Sequence, residues 1–223
     1  MSKRNHVIIY SHGFGVRRDD RGLFTEIAAA LPTAQHIMFD YSQVDEAANT
    51  LKVTPLTEQA KQLSQVVTQA QANNPDAIID LVCHSQGCLV AAMASASNVR
   101  KTIFTAPPPD ADIEDKIRRW QVRYGTQFST EATSYLARKD GSTTIVPPEY
   151  WKSLKNLDAQ KLYNALADNT ILIVITATKD EVLGEVVLGE LTPNIKIIRM
   201  ATGHNFEDTS RHELISVVTQ ELD

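Results

Sequence analysis

Short runs of apolar, mostly β-branched residues alternate with helix-like segments along this chain. In IIDLV and ILIVI nearly every residue is apolar, which is typical of strands that are covered on both faces. Parallel sheets are covered in this way, because the helices that connect their strands pack on both sides. Six such runs are predicted strands: residues 7–10, 35–40, 77–83, 101–105, 171–176 and 195–200. The pattern therefore predicts an α/β fold with a mostly parallel sheet of about six strands flanked by helices.

Segments with helical spacing of apolar residues lie between the predicted strands. They cover residues 22–31, 56–72, 86–96 and 210–222. Thr54 and Pro55 precede the second segment and are the residue types favoured at an N-cap and in a first helical turn. The third segment is small and apolar, which favours a buried helix. The fourth is typical of a terminal helix that closes the sheet.

A long insertion interrupts this alternation. About 60 residues separate the fourth predicted strand from the fifth, many more than a simple connection needs. Within them, residues 112–124 have a helical pattern, and Asp140-Gly141 predicts a hairpin because this pair accepts positive φ. A further helix is predicted from about Pro148 through Leu166. We expect residues 107–166 to form an inserted cap of helices and a hairpin, and residues 1–106 with 167–223 to form the core.

The composition disfavours several classes of function. Formal net charge is −5 over 223 residues with both signs interspersed, so nucleic acid is not an expected partner. The two cysteines, Cys83 and Cys88, match neither a zinc-site spacing nor a disulfide framework, which indicates a reducing compartment. The first apolar run, VIIY, is too short for a signal peptide, and no run reaches the ~20 residues that span a bilayer. We therefore expect a one-domain cytoplasmic protein with no membrane segment. Its oligomeric state stays open.

The segment LVCHSQGCLV, residues 81–90, places a serine between a predicted buried strand and a predicted helix of small residues. This is the strand, turn and helix pattern of a nucleophile elbow, whose usual sequence is G-x-S-x-G. Small residues flank such a turn because the strand and the helix nearly touch. Here Gly87 is present, and Cys83 stands at the first glycine position. The pattern predicts that Ser85 is a nucleophile, whereas Cys83 is expected to be a buried, inert thiol.

A second motif, SHGFG at residues 11–15, follows the first predicted strand. Acyl transfer builds negative charge on the carbonyl oxygen of the substrate, and backbone N–H groups stabilise that charge. The amide of Phe14 in this turn and the amide of Gln86 after the serine are the predicted pair of donors. His12 and Gly13 are expected to shape the turn.

A serine hydroxyl needs an imidazole to take its proton and a carboxylate to orient that imidazole. The predicted strand ILIVITA runs into TKDEV, which places Asp180 just beyond it, and IKIIRMA runs into TGHNF, which does the same for His204. Open parallel sheets gather their sites at these strand ends. We therefore predict a triad of Ser85, Asp180 and His204. Glu181 and Asp208 are alternative carboxylates, although Asp208 is better placed to cap the last helix.

Through SHGFG, CHSQG, TKDEV and TGHNF, the sequence resembles the α/β-hydrolase superfamily over essentially its whole length. HGF, HSQG and a cap that contains a hairpin are similar to the cytosolic carboxylesterases that include cinnamoyl and feruloyl esterases. The resemblance implies hydrolysis of a small ester through a covalent acyl-enzyme, without a cofactor or metal, under a cap that shapes the pocket. The first two strands of the usual eight-stranded sheet have no counterpart before Val7, so a trimmed sheet is expected.

Several points stay open in the sequence. The same triad could serve a thioesterase or a peptidase, and a hydrolase-like binding module could keep the pocket without the chemistry. Aromatic residues concentrate in the predicted cap, where most are expected to form its own core. The candidates for lining a substrate pocket are Trp120, Tyr124, Tyr150 and Trp151.

Overall fold

The computed structural model describes residues 5–109, 129–138, 140–184, 186 and 188–223. The described residues form ten strands: β1 (His6–Ser11), β2 (Gln35–Ile37), β3 (Gln43–Asp45), β4 (Thr50–Lys52), β5 (Ile78–His84), β6 (Lys101–Thr105), β7 (Ser134–Ala137), β8 (Thr143–Val146), β9 (Ile171–Ala177) and β10 (Lys196–Met200). They also form six helices: α1 (Leu23–Ala30), α2 (Leu56–Asn73), α3 (Gln86–Ala94), α4 (Pro148–Leu154), α5 (Ala159–Ala167) and α6 (Thr209–Leu222).

The main sheet contains six strands in the order β10-β9-β6-β5-β1-β2. Every neighbouring pair in it is parallel. The predicted α/β fold with a trimmed parallel sheet is therefore confirmed, and each predicted run contributes one strand. Because all six strands point the same way, the loops that follow β1, β5, β9 and β10 meet at one edge of the sheet.

Both faces of the main sheet are buried. Val7 and Ile9 of β1 pack into the cluster that contains α2, α3 and α5, whereas Ile8 and Tyr10 pack with α1 and α6 on the other face. Successive side chains of a strand point to opposite faces, so a strand covered on both sides needs an unbroken apolar run.

Within the part of the chain that is described, no helix is both long enough and apolar enough to cross a bilayer.

A second, four-stranded sheet has the order β3-β4-β8-β7. Its β7–β8 hairpin turns at Asp140-Gly141 as predicted, with Gly141 at φ 83°. The hairpin joins the rest of this sheet through a parallel pairing of β8 with β4. This sheet therefore combines part of the predicted insertion with residues 43–52, which precede it. The predicted helix at 112–124 lies outside the described residues.

Three local predictions differ from the structure. The predicted helix from Pro148 to Leu166 is two helices, because the chain leaves α4 at Lys155 and the Asp158 side chain caps a new helix by accepting from the Lys161 amide at 2.9 Å. The second strand ends at Ile37 rather than at residue 40. Thr54 does not cap α2, because its hydroxyl donates to the Tyr41 carbonyl at 2.9 Å.

Candidate active site

Ser85 lies on a tight turn between β5 and α3. Its backbone has φ 51° and ψ −124°, a combination that non-glycine residues rarely adopt. Its amide donates to the Thr105 carbonyl of the neighbouring strand at 2.9 Å, which holds the turn against the sheet. At Gly87 a methyl group would overlap the Ser11 carbonyl and come within 2.8 Å of the His12 carbonyl oxygen. The first turn of α3 therefore lies directly against the end of β1, the strand next to β5, and position 87 has no room for a side chain.

The structure brings Ser85, His204 and Asp180 into one chain of contacts. The Ser85 Oγ lies 2.9 Å from His204 Nε2, and His204 Nδ1 lies 2.7 Å from Asp180 Oδ2. Asp180 follows β9, and His204 follows β10. Each of these two residues is 5% exposed. Parallel strands that end at one edge thus bring together residues that are far apart in sequence.

Both oxygens of the Asp180 carboxyl group accept hydrogen bonds. Its Oδ1 accepts from the amides of Val182 at 2.9 Å and Leu183 at 2.7 Å, while Oδ2 faces His204. Burial by itself raises the pKa of Asp180, but the hydrogen bond and charge of His204 and the two amides outweigh burial and lower it. A carboxylate only accepts, so Nδ1 of His204 donates to it. Nε2 is then the ring atom that can accept from the Ser85 hydroxyl.

The two alternative carboxylates have other positions. Glu181 accepts the backbone amide of His204 through Oε2 at 3.0 Å. Asp208 occupies the N-cap of α6, where its side chain makes no capping hydrogen bond. Of these carboxylates, Asp180 is therefore the one that contacts the imidazole.

The turn that follows β1 is fixed by buried polar side chains. His12 Nδ1 donates to the Gly13 carbonyl at 2.9 Å, and its Nε2 accepts from the Tyr41 amide at 3.1 Å. The Gly13 amide donates to Asp20 Oδ2 at 2.7 Å. Burial lowers the pKa of His12, so the ring stays neutral and can accept at Nε2. Tyr41 is buried and is part of the network that supports this turn.

Gln86, the first residue of α3, is fixed by its side chain. Its Oε1 accepts from the Tyr150 hydroxyl of α4 at 2.5 Å, and its Nε2 donates to Gln59 Oε1 at 3.0 Å. Gln59 in turn donates to the Thr54 carbonyl at 2.7 Å. Gln86 is thus hydrogen-bonded to both α2 and α4.

A cleft of about 110 Å³ opens at Ser85 and His204. Both predicted oxyanion residues, Phe14 and Gln86, line it. Its apolar walls come from the core and from the second sheet with α4: Val16, Leu89, Leu136 and Leu154. A larger polar cavity of about 740 Å³ adjoins it and shares with it Val16, Arg21, Arg138 and Asn205.

The predicted aromatic lining is only partly found at the cleft. Tyr150 lines it, and its ring lies 5.2 Å from that of Phe14. Trp151 does not: its side chain is fully buried in the core. Consecutive residues of a helix point about 100° apart, so α4 can turn only one of the two rings toward the cleft. Trp120 and Tyr124 lie outside the described residues.

Asp20 and Arg138 are among the cleft residues that were not recognised in the sequence as parts of the site. Asp20 and Arg138 both line the cleft, and Arg138 reaches across to donate to the Gly15 carbonyl at 3.0 Å. His84 donates from Nδ1 to the Thr105 hydroxyl at 2.9 Å, since that hydroxyl itself donates to the Cys83 carbonyl. Burial lowers the pKa of His84 to about 4, so a neutral ring lies against His204.

Cys83 and Cys88 are both fully buried, and burial raises the pKa of each thiol. Both are therefore held in the unreactive protonated form. Among the described residues, no group of three or more histidine, cysteine, aspartate or glutamate side chains could hold a metal ion.

Comparison with known proteins points to one fold. A family model described as an alpha/beta hydrolase matches residues 24–113. None of the curated proteins matches the chain significantly. Est1E from Butyrivibrio proteoclasticus, solved with ferulic acid bound, is 15% identical with a TM-score of 0.71 over 98% of this chain and 88% of that chain. GrgF, an alpha/beta hydrolase from Penicillium sp. sh18, is 16% identical with a TM-score of 0.69 over 100% and 89%. The Pyrococcus furiosus esterase Pf2001 is 15% identical with a TM-score of 0.68 over 98% and 81%.

Proposed function

We propose that this chain, which has the α/β-hydrolase fold, is a serine hydrolase that cleaves a small carboxylic ester through an acyl-enzyme. The main support is the run of contacts from the Ser85 hydroxyl through His204 to Asp180, with distances of 2.9 and 2.7 Å. The esterases among the solved structures with this fold support the choice of reaction.

In the acylation step, His204 Nε2 takes the proton of Ser85 as Oγ attacks the ester carbonyl carbon. The carbonyl electrons move onto oxygen, and the Asp180 carboxylate stabilises the imidazolium. As the carbonyl reforms, the bond to the alcohol oxygen breaks, and His204 returns the proton to the leaving alcohol. In the second half, His204 takes a proton from water as the water oxygen attacks the acyl carbon. The bond between the acyl carbon and Ser85 Oγ then breaks, and His204 returns the proton to Oγ, which releases the acid and restores the serine.

The amides of Phe14 and Gln86 are the proposed donors to the oxyanion. Gln86 begins α3, and the first amides of a helix have no acceptor within the helix. Phe14 belongs to the turn that His12 and Asp20 hold in place. One such donor is typically worth about 3 kcal/mol in the transition state.

The proposed substrate has a small acyl group, because the cleft at Ser85 has a volume of only about 110 Å³. We also propose that residues 107–166 supply the cap. Leu136, Arg138, Tyr150 and Leu154 all come from this segment and line the cleft. No cofactor is needed for the proposed steps.

Labelling with a fluorophosphonate tests the proposed nucleophile. We expect one adduct that maps to Ser85 and is lost in Ser85→Ala, together with at least a 10³-fold loss of ester hydrolysis, roughly the cost of losing a triad member. Ser216→Ala, an exposed serine of α6, is the control and should keep both. Labelling at another residue would overturn the assignment.

A substrate panel tests the leaving group. Matched acetyl and butyryl compounds, each as an ester, a thioester and an anilide, would be compared by kcat/KM. We expect the esters to be preferred. If the thioesters or the anilides are cleaved efficiently and the esters are not, the proposed esterase activity is wrong and the protein is a thioesterase or a peptidase. Failure to cleave any of them, with no labelling of Ser85, would favour a binding module.

A further inference from the structure

Asp20 is a buried carboxylate that the proposed reaction does not use. It is 3% exposed, yet it lines the cleft. Its Oδ2 accepts from the Gly13 amide at 2.7 Å, whereas Oδ1 takes no hydrogen bond from any residue in the described part of the chain. Because Asp20 lines the cleft, this unused carboxylate oxygen can accept a hydrogen bond from a donor on a bound ligand.

The position of Asp20 indicates where that donor would come from. The point where a side chain would leave Gly13 lies 3.3 Å from Asp20 Oδ2 and 3.3 Å from the Ser85 Cβ. Asp20 and Ser85 therefore both lie next to Gly13, and both line the same cleft. Gly13 also belongs to the turn that would hold the carbonyl oxygen, so Asp20 lies beside the acyl part of a bound ester.

We propose that Asp20 selects acyl groups that carry a hydrogen-bond donor on the carbon next to the scissile carbonyl, as in α-hydroxy and α-amino esters. This inference rests on the proposed ester hydrolysis and names its substrate class. A hydroxyl or ammonium group on that carbon would face Oδ1, while the carbonyl oxygen faces the Phe14 and Gln86 amides. The acyl group stays on Ser85 through both half-reactions, so the contact acts in each of them.

The test compares methyl propionate, methyl lactate and alanine methyl ester, with acid release followed at constant pH. These esters differ only in the hydrogen, hydroxyl or ammonium on the α-carbon. The measured quantity is kcat/KM for each substituted ester divided by that for methyl propionate, because intrinsic ester reactivity cancels when this ratio is compared between two proteins. A bond between a charged acceptor and a good donor supports a preference of about tenfold or more.

Asp20→Asn is the decisive variant. Its carboxamide oxygen can still accept from the Gly13 amide, while its NH2 group replaces the free oxygen with a donor. We expect the preference for at least one substituted ester to fall about tenfold or more. Asp19→Asn makes the same charge change one residue away. Asp19 lines the polar cavity rather than the cleft, so this control should keep the native ratios.

The outcomes separate the possible roles of Asp20. A preference limited to methyl lactate assigns a hydroxyl donor, and one limited to alanine methyl ester assigns an ammonium group. Equal losses on all three esters in Asp20→Asn would mean that Asp20 only shapes the turn, which overturns the inference. If the variant does not fold, the native protein alone still tests the inference. If its relative kcat/KM values for the three esters only follow their relative rates of alkaline hydrolysis, the inference about Asp20 is wrong, although the proposed ester hydrolysis stands. Hydrolysis of none of the three, with no labelling of Ser85, overturns the proposed function itself.

Discussion

Ser85 can hold its strained backbone because Gly87, two residues further along the chain, has no side chain. Strained φ and ψ angles persist only where the surroundings determine them, and here β5 and α3 do so from both sides. The helix can begin directly after the serine because Gly87 lets its first turn lie against the Ser11 and His12 carbonyls. The position of the hydroxyl thus depends on a residue that takes no part in the proposed chemistry.

Gly87→Ala is therefore expected to be costly. Its methyl group would overlap backbone atoms, which cannot move aside as a flexible side chain can. We expect the free energy of unfolding to fall by about 2 kcal/mol, a typical cost of overpacking, and ester hydrolysis to fall at least tenfold. Chemical denaturation and initial rates measure the two effects.

Gly141→Ala is the matched control for this substitution. Gly141 has φ 83° and no atom near a new methyl group, so only backbone strain of about 1 kcal/mol applies, and Gly141 does not line the cleft. Activity close to native in Gly87→Ala, or a comparable loss of activity in the control, would contradict the steric explanation.

At the scale of elements, the sequence predicted the strands with a recognisable apolar pattern and the residues that directly follow them. It did not predict short strands or pairing between distant segments. The central strands of the main sheet were recognisable because burial on both faces demands continuous apolar runs, as in β5 and β9. Ser85, Asp180 and His204 could be selected because each directly follows such a run. By contrast, β3 and β4 have three residues each, too few for a period, and their sheet depends on pairing β4 with the distant β8. Asp20 was missed because its contact is with a backbone amide.

The link between α4 and α3 carries a prediction at this scale. The Tyr150 hydroxyl donates to Gln86 Oε1 in a fully buried setting, so Tyr150→Phe leaves that oxygen without its donor. We expect a loss of about 1 to 2 kcal/mol in stability and a several-fold lower kcat, because the Gln86 amide is a proposed oxyanion donor.

Tyr10→Phe removes a similar hydrogen bond, to His36 on the opposite face of the main sheet. As the control, it should lose stability and keep kcat. Equal kcat values for the two variants would show that α4 does not position the elbow.

Across the whole molecule, the proposed site and a buried ionic cluster lie toward opposite ends of β5. Asp80 is fully buried near the start of this strand and contacts three parts of the chain. It accepts from His6 Nε2 at 2.7 Å, from Arg100, and from the Lys101 amide at 2.9 Å. Arg100 also donates to the Leu222 carbonyl at the end of α6 at 2.6 Å. The Asp80 carboxylate of β5 thus contacts both neighbouring strands, β1 and β6, and is connected to α6 through Arg100.

This cluster predicts how stability responds to acid. Burial alone raises the pKa of Asp80, but the bonds and charges of His6 and Arg100 outweigh burial and lower it. A pKa that is lower in the folded state stabilises the fold above the unfolded value of about 3.9, and this stabilisation is lost as the pH falls below it. At pH 5 we expect Asp80→Asn to lower the free energy of unfolding by about 3 kcal/mol, because Arg100 loses its partner.

Urea denaturation of the native chain and of Asp80→Asn between pH 5 and pH 3 measures this linkage. The difference between the two should shrink toward pH 3, because below about pH 3.9 the unfolded native chain binds a proton at Asp80, which reduces the stabilisation that the lower folded-state pKa provides. The lowered pKa of Asp180 acts in both proteins and therefore cancels in the difference. Asp76→Asn, in an exposed turn before β5, controls for the change in net charge and should stay within about 0.5 kcal/mol of native. A difference that stays constant down to pH 3 would show that the Asp80 charge does not hold the strands and the terminal helix together.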